Sequence, residues 1–214
     1  MTTLVELIVN DVSTLLQDVN KQRWSDADLM RWIGESEQLI ATSKPESVAV
    51  KIAIALIAGV DQDIPGDGLM ILRFRRNTAS GAVVQLVDED TQNRIDPVWP
   101  AATQVLEPTT VIYDPLVDPL TFMVAPPNNG SGSLEVIYAK IPAPVAATTA
   151  SISVNDSFVP LIKDYVMYRA LLMETEGQNL NRSALHLQVF MQGLGLNTQA
   201  YEKLNPMQEV DDNG

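Results

Sequence analysis

The spacing of apolar residues changes twice along this chain, and this change constrains the fold more than any other feature. Between residues 4 and 40 apolar residues recur every three to four positions, which predicts amphipathic helices. Between residues 48 and 139 they recur at every second position or form short runs bounded by Gly, Pro, Asn and Asp, which predicts strands. Helical spacing returns between residues 161 and 194. Helices on both sides of a strand-rich segment predict an α+β protein.

Two helices are predicted before the strands. The first begins at a capping box made by Thr3 and Glu6. The second begins with Ser25 as its N-cap and Asp28 three residues later, and it ends before Pro45.

Two more helices are predicted after the strands. An apolar stripe between residues 161 and 172 predicts the third helix, which Asp156 or Ser157 can cap. The fourth runs from about residue 181 to residue 194, where Gly195 is placed to end it.

Short apolar runs separated by turn residues predict a small antiparallel β module. Its predicted strands are residues 48–56, 70–76, 82–87, 109–113, 120–124 and 134–139.

These elements predict a discontinuous domain with an insertion. Neither helix pair alone offers much core, so we expect residues 1–44 and 157–204 to pack together as a four-helix (two plus two) discontinuous helical domain. Residues 45–142 would form the inserted β-rich module, and residues 143–156, rich in Ala, Thr, Ser and Pro, a connector. Residues 205–214 lack apolar periodicity and are expected to form an extended, flexible C-terminal tail.

Composition argues against several classes of function. The net charge is −13, from 27 acidic and 14 basic residues, and this charge repels nucleic acid and anionic lipid. The absence of Cys and the presence of a single His argue against thiolate and most zinc sites. The longest nearly uncharged apolar run, residues 52–60, is too short to cross a bilayer. We therefore expect no sequence-specific DNA binding, no cofactor and no membrane segment.

Few residues suggest catalysis. Ser183 and His186 lie three residues apart on one predicted helix, which supplies neither an orienting acid nor a strained nucleophile position. Asp88-Glu89-Asp90 and the pair Asp114 and Asp118 could act as acid and base, but both clusters lie at predicted turns, which favours a role in the loops. We predict no catalytic residues.

An acidic segment between two predicted strands resembles a calcium-binding loop in composition only. Asp61, Asp63 and Asp67 supply carboxylates, but Pro65 stands at the fifth position of the motif and Leu72 at its twelfth. We therefore predict a polar turn and no metal site.

Arg73, Arg75 and Arg76 form the one basic cluster of the sequence, and Arg73 and Arg75 share a strand face. In so acidic a chain they are expected to pair with carboxylates such as Asp88–Asp90 or with a neighbouring subunit. The candidate intersubunit contacts are Arg73, Arg75, Arg76, Asp88, Glu89 and Asp90.

Several segments resemble, in order, the tailed-bacteriophage head-to-tail adaptor proteins, also called head completion or connector proteins, especially those of short-tailed phages. The segments are residues 23–29 (RWSDADL), 58–65 (AGVDQDIP), 113–115 (YDP), 118–122 (DPLTF), 126–127 (PP), 135–142 (EVIYAKIP), 159–160 (VP), 164–170 (DYVMYRA), 181–184 (NRSA), 190 (F) and 194–195 (LG). The resemblance extends to about Gly195.

The resemblance implies a virion protein without enzymatic activity, made in the host cytoplasm. It implies a homo-oligomeric ring, dodecameric in this family, that docks on the portal protein and carries the next tail or nozzle protein. Genomic DNA would pass through the ring during ejection without sequence-specific binding. The family's portal contacts suggest the C-terminal segment as the docking element, with Tyr201, Leu204, Pro206, Met207 and Val210 as candidate contacts.

A β module on a helical base also fits other classes of function. The chain could be a tail or baseplate component, or a carbohydrate-binding accessory module that grips its ligand with exposed aromatic residues. Trp99 lies outside the periodic stripes and is the best candidate for such a contact. A hydrolase that uses Asp or Glu pairs is a third reading.

Overall fold

A computed structural model describes residues 3–173 and 177–204. The chain is α+β and divides by its contacts into two compact units. The helical unit comprises Met1–Lys44 and Pro142–Gly214, and the β unit comprises Pro45–Ile141.

The described residues contain five α-helices and seven strands. The helices are α1 (Val5–Leu15), α2 (Asp26–Ser43), α3 (Glu89–Ile95), α4 (Val159–Leu172) and α5 (Gly177–Leu204). The strands are β1 (Ala49–Ala55), β2 (Ala58–Asp63), β3 (Gly68–Asn77), β4 (Gln85–Val87), β5 (Thr110–Ile112), β6 (Thr121–Asn129) and β7 (Ser133–Lys140). Only α3 lies in the β unit, and the sequence did not predict it.

The two N-terminal helices begin in different ways. Helix α2 begins as predicted, because the Ser25 hydroxyl accepts the Asp28 backbone N–H at 3.2 Å. Helix α1 has no side-chain cap, so the predicted capping box is wrong. Its first-turn N–H groups at Val5 and Glu6 donate instead to carbonyls at residues 150 and 148, at 2.9 and 2.8 Å. A remote backbone segment thus satisfies the donors that a local side chain was expected to cap.

Residues 142–156, of which 143–156 were predicted to be a connector, belong to the helical unit. Ser151 forms a β-bridge with Leu4, and the Ile152 N–H donates to the Thr3 carbonyl at 3.0 Å. Ile152 and Val154 are buried, so this segment contributes to the core.

A glutamate lies in the interior of the helical unit. Glu37 of α2 is fully buried, and its Oε1 accepts the backbone N–H of Ser153. Burial raises the pKa of Glu37, although N–H donors at Ser153 and Val154 oppose this effect. The second oxygen, Oε2, has no hydrogen-bond partner among the described residues. Glu37 therefore fastens the 142–156 segment to α2 at an electrostatic cost.

Helix α5 is longer than predicted and packs on α4. The ring centroids of Tyr165 and Phe190 are 5.1 Å apart across this contact. A Cβ added at Gly193 would lie 2.2 Å from Leu161 Cδ2, so glycine permits the close approach of the two helices. The expected stop at Gly195 is wrong because the helix continues through it to Leu204.

The β unit contains two sheets. One has the order β1-β7-β3 with antiparallel neighbours, and the other has the order β2-β6-β5-β4. Strands β4 and β5 are parallel, so the module is mixed rather than antiparallel. Residues 88–109 form the long connection that parallel neighbours require, and they include α3. Strand β2 lies where the sequence predicted a polar turn.

Both sheets contribute to one core. Its buried members from the first sheet are Ile54, Ile71, Leu134, Val136 and Tyr138, and those from the second are Val111, Phe122 and Val124. The β unit therefore has an apolar interior of its own.

Candidate interaction site

Six carboxylates line an open cleft of about 480 Å³ in the β unit, which we call the acidic cleft. They are Asp61, Asp88, Glu89, Asp90, Asp114 and Asp118. No Lys or Arg is among its described lining residues. Such a cleft concentrates negative potential and attracts cationic groups.

Local hydrogen bonds hold two of these carboxylates in place. Asp88 caps α3 by accepting the Thr91 hydroxyl at 2.7 Å and the Thr91 backbone N–H at 2.8 Å, and these bonds lower its pKa. Asp118 accepts the Leu120 N–H at 2.9 Å and the Thr121 hydroxyl at 2.7 Å, and its pKa is lowered in the same way. Both groups are therefore negatively charged at neutral pH.

One wall of the cleft is a turn at residues 114–118, which we call the tip loop. Asp114 Oδ1 accepts the Leu116 N–H at 2.9 Å, and the Asp114 carbonyl accepts N–H groups from Val117 and Asp118 at 3.1 and 3.0 Å. At its apex Leu116 is 95% exposed and Val117 is 82% exposed. The loop thus presents two large apolar side chains on a backbone fixed by hydrogen bonds.

Tyr113 anchors the tip loop to strand β3. Its hydroxyl accepts the Ile71 N–H and donates to the Pro119 carbonyl, both at 2.9 Å. Its ring meets Phe74 edge-on, with centroids 5.5 Å apart. Burial raises the pKa of Tyr113, which keeps the phenol protonated and able to donate.

An apolar groove of about 440 Å³ lies on the other side of the loop base. It is lined by Met70, Ile71, Leu72, Arg73, Phe74, Leu86, Tyr113 and Pro115. Tyr113 lines both the groove and the acidic cleft. The tip loop therefore separates an apolar surface from an acidic one.

The three arginines do not share one environment. Arg75 and Arg76 bind Glu135 at 3.1 and 3.3 Å, and Lys51 approaches the same carboxylate at 3.5 Å. Arg73 is exposed and has no ion pair among the residues that the structure describes. The expected partners within the chain were carboxylates such as Asp88–Asp90, but the observed partner is Glu135, which lies opposite Arg76 in the β3–β7 ladder.

The other acidic and catalytic candidates have local roles. Asp67 binds Lys140 at 3.0 Å and accepts the Tyr138 hydroxyl at 3.1 Å. Within residues 3–173 and 177–204, no group of three or more His, Asp or Glu is placed to hold a metal ion. The Ser183 hydroxyl donates to the Tyr168 carbonyl at 3.0 Å, and His186 Nδ1 lies 2.8 Å from Asp164. Ser183 is thus directed at backbone rather than at His186.

Trp99 is buried, with 3% of its surface exposed, and its indole N–H donates to Asn93 at 2.9 Å. It cannot serve as the exposed carbohydrate contact proposed from the sequence. The side chain packs in a small buried cluster with Ile112 and Ala125. The sequence did not predict this role because Trp99 lies outside the periodic apolar stripes.

The candidate portal contacts lie at the end of the chain. Tyr201 and Leu204 belong to the last turns of α5. Pro206, Met207 and Val210 lie outside the described residues. None of the described helices is both long and apolar enough to span a membrane.

The tip loop and the groove were missed from the sequence. The available signal was Asp114-Pro115-Leu116-Val117-Asp118, an apolar pair enclosed by two turn-forming aspartates.

The adaptor-like motifs occur in both units, and comparison with protein families confirms the class, a phage head-to-tail adaptor. The family model described as SU10 adaptor protein matches residues 2–209, so the chain belongs to the SU10 adaptor protein family. No curated protein sequence matches the chain. Membership makes the chain a structural component of the phage virion, in a family whose role implies contact with portal and tail components.

Proposed function

We propose that this chain forms a ring at the head-to-tail interface of the virion. The ring docks on the portal protein, carries the next tail or nozzle protein and leaves a central channel for genome ejection. We propose twelve subunits, made in the host cytoplasm. The match to an adaptor family over nearly the whole chain carries this proposal.

We assign separate roles to the predicted domains in this ring. The discontinuous helical domain, residues 1–44 and 157–204, forms the ring, and the β-rich insert of residues 45–142 faces neighbouring subunits or the tail. The separate cores of the helical and β units support this division, because each can act as a body of its own.

The acidic balance of the chain suits a DNA channel. A net charge of −13 offers few cations for counterion release, so a moving duplex would not adhere to such a surface. A channel wall rich in Lys and Arg would contradict this reading of the charge.

We propose that the exposed charges of the β unit contribute to contacts between subunits. The residues are Arg73, Arg75, Arg76, Asp88, Glu89 and Asp90. Among the described residues the two charged groups do not bind one another, because Arg75 and Arg76 bind Glu135 while Asp88 caps α3. A neighbouring subunit can therefore bring the opposite charges together.

We propose that the C-terminal segment docks on the portal through Tyr201, Leu204, Pro206, Met207 and Val210. Deletion of residues 205–214 is expected to abolish portal binding, measured by co-sedimentation with purified portal rings. Circular dichroism of the truncated chain controls for folding. Wild-type portal binding by a folded truncated chain would refute this assignment.

The ring itself is tested by mixing the full chain with portal protein from the same phage. Mass photometry should show a complex with a fixed number of adaptor chains per portal, and cryo-electron microscopy should show a ring with an open channel. The proposal fails if the chain stays monomeric and does not associate with the portal.

A further inference from the structure

The tip loop presents an apolar surface with no covering in a single subunit. Leu116 and Val117 are adjacent and almost fully exposed, whereas isolated exposed apolar residues elsewhere on a surface are ordinary. A paired apolar tip on a turn fixed by hydrogen bonds loses little conformational entropy on binding. These properties are typical of an interface anchor.

The apolar groove has the complementary properties. Its lining is apolar or aromatic except for Arg73, an exposed cation without an ion pair in the described part of the chain. The tip loop carries an apolar apex between Asp114 and Asp118, which are both exposed. Apolar surface thus matches apolar surface, and two carboxylates match one guanidinium.

We propose that the tip loop of one copy of this chain inserts into the apolar groove of a second copy. Leu116 and Val117 would pack on the groove, and Asp114 and Asp118 would face Arg73 of that copy. This inference rests on the proposed ring, in which it supplies a contact between subunits.

A second copy is the favoured occupant because one folded unit carries both halves of the contact. In its own subunit Leu116 does not line the groove, and Val117 lines the acidic cleft instead. Of the tip loop, Pro115 alone lines the groove of its own subunit, so the apex leaves that groove open. An interface made of two different patches on identical subunits can close into a ring.

Cysteine pairing tests the contact directly, because the chain has no Cys of its own. Chains with Leu116→Cys and chains with Leu86→Cys are mixed with portal protein and oxidised. The control replaces Leu86→Cys with Val98→Cys, another exposed apolar position of the β unit that does not line the groove. At least tenfold faster formation of the Leu116–Leu86 disulfide is expected. Equal rates for the two pairs would overturn the proposal.

Two further variants measure the importance of the contact. Leu116→Ser and Arg73→Glu should each weaken association between adaptor chains at least tenfold, measured by sedimentation with and without portal. Val98→Ser, the matched control, should associate as the wild type does. Rings of wild-type stability with Leu116→Ser would overturn the inference but leave the adaptor role standing, whereas a wild-type chain that never binds portal defeats the proposed function itself.

Discussion

Replacing the buried glutamate of α2 should show how the 142–156 segment is held in the helical unit. Glu37→Ala removes the acceptor of the Ser153 and Val154 N–H groups, and Val154 is buried. Ser153 is exposed, so only the Val154 donor is left buried, and an unsatisfied buried donor costs about 1–3 kcal/mol. The variant should therefore lose about 1–3 kcal/mol of unfolding free energy. Glu37→Gln keeps the volume and one acceptor oxygen, so it should lose much less.

The pH dependence separates the charge of Glu37 from its packing. Burial raises the pKa of Glu37 above the ordinary value of 4.5, so the native state keeps a proton that the unfolded state releases. Wild-type stability therefore falls as pH rises above about 4.5, until the native carboxyl has also ionised. A tenfold difference between the native and unfolded acid dissociation constants corresponds to about 1.4 kcal/mol. Glu37→Gln has no carboxyl to titrate at this position, so its free energy of unfolding should rise relative to that of the wild type as pH rises.

Urea denaturation at pH 5 to 8 measures this difference and avoids the isoelectric point near 4.3. A Trp99→Phe background leaves Trp24 and Trp32 as the only tryptophans, both in the helical unit, and excitation at about 295 nm selects their fluorescence over that of tyrosine. Glu6→Gln, an exposed substitution in α1, is the matched control and should show no such trend. A constant difference between wild type and Glu37→Gln from pH 5 to pH 8 would refute the reasoning.

Two other substitution tests follow from contacts in the helical unit. Gly193→Ala should lose about 1–2 kcal/mol of unfolding free energy, measured by urea denaturation, because its Cβ meets Leu161. At Gly195 an added Cβ meets no neighbouring atom, so Gly195→Ala should gain about 0.5–1 kcal/mol. Equal effects of the two substitutions would contradict the close packing of α4 and α5. Burial raises the pKa of Asp18, but backbone donors such as the Trp24 N–H outweigh it and lower the pKa. Asp18→Asn should therefore lower the denaturation midpoint at pH 7, and this difference should disappear as pH falls through the native pKa, below the ordinary 3.8.

The parts of the fold that depend on local signals could be predicted from the sequence. Ser25 caps α2, as its spacing to Asp28 indicated, and six of the seven strands overlap predicted ones. The sequence did not predict strand β2 because Asp61 and Asp63 are typical of a polar turn. These aspartates fit a strand here because β2 lies at the edge of its sheet, where both side chains are exposed.

Features that depend on remote contacts could not be predicted. The parallel pairing of β4 and β5 depends on the long connection through α3. Helix α5 continues past Gly195, and it packs closely on Leu161 of α4 at Gly193. Trp99 is buried against Ile112 of β5 and Ala125 of β6, which the pattern of residues around Trp99 does not indicate. The arginine cluster was visible in the sequence, but its partner Glu135 is brought close only by the β3–β7 ladder.

The contacts between α1 and the 142–156 segment also determine when the subunit can be completed during synthesis. The Thr3 N–H donates to Asp156 at 2.8 Å across 153 positions of sequence, and the Val5 N–H donates to the carbonyl at residue 150. Both acceptors are synthesised long after their donors. The β unit, whose core is formed by Pro45–Ile141, can therefore fold on the ribosome while the helical unit still lacks its closing segment. Chains released before residue 156 cannot make all of these bonds, so such chains cannot present a finished helical unit to a growing virion.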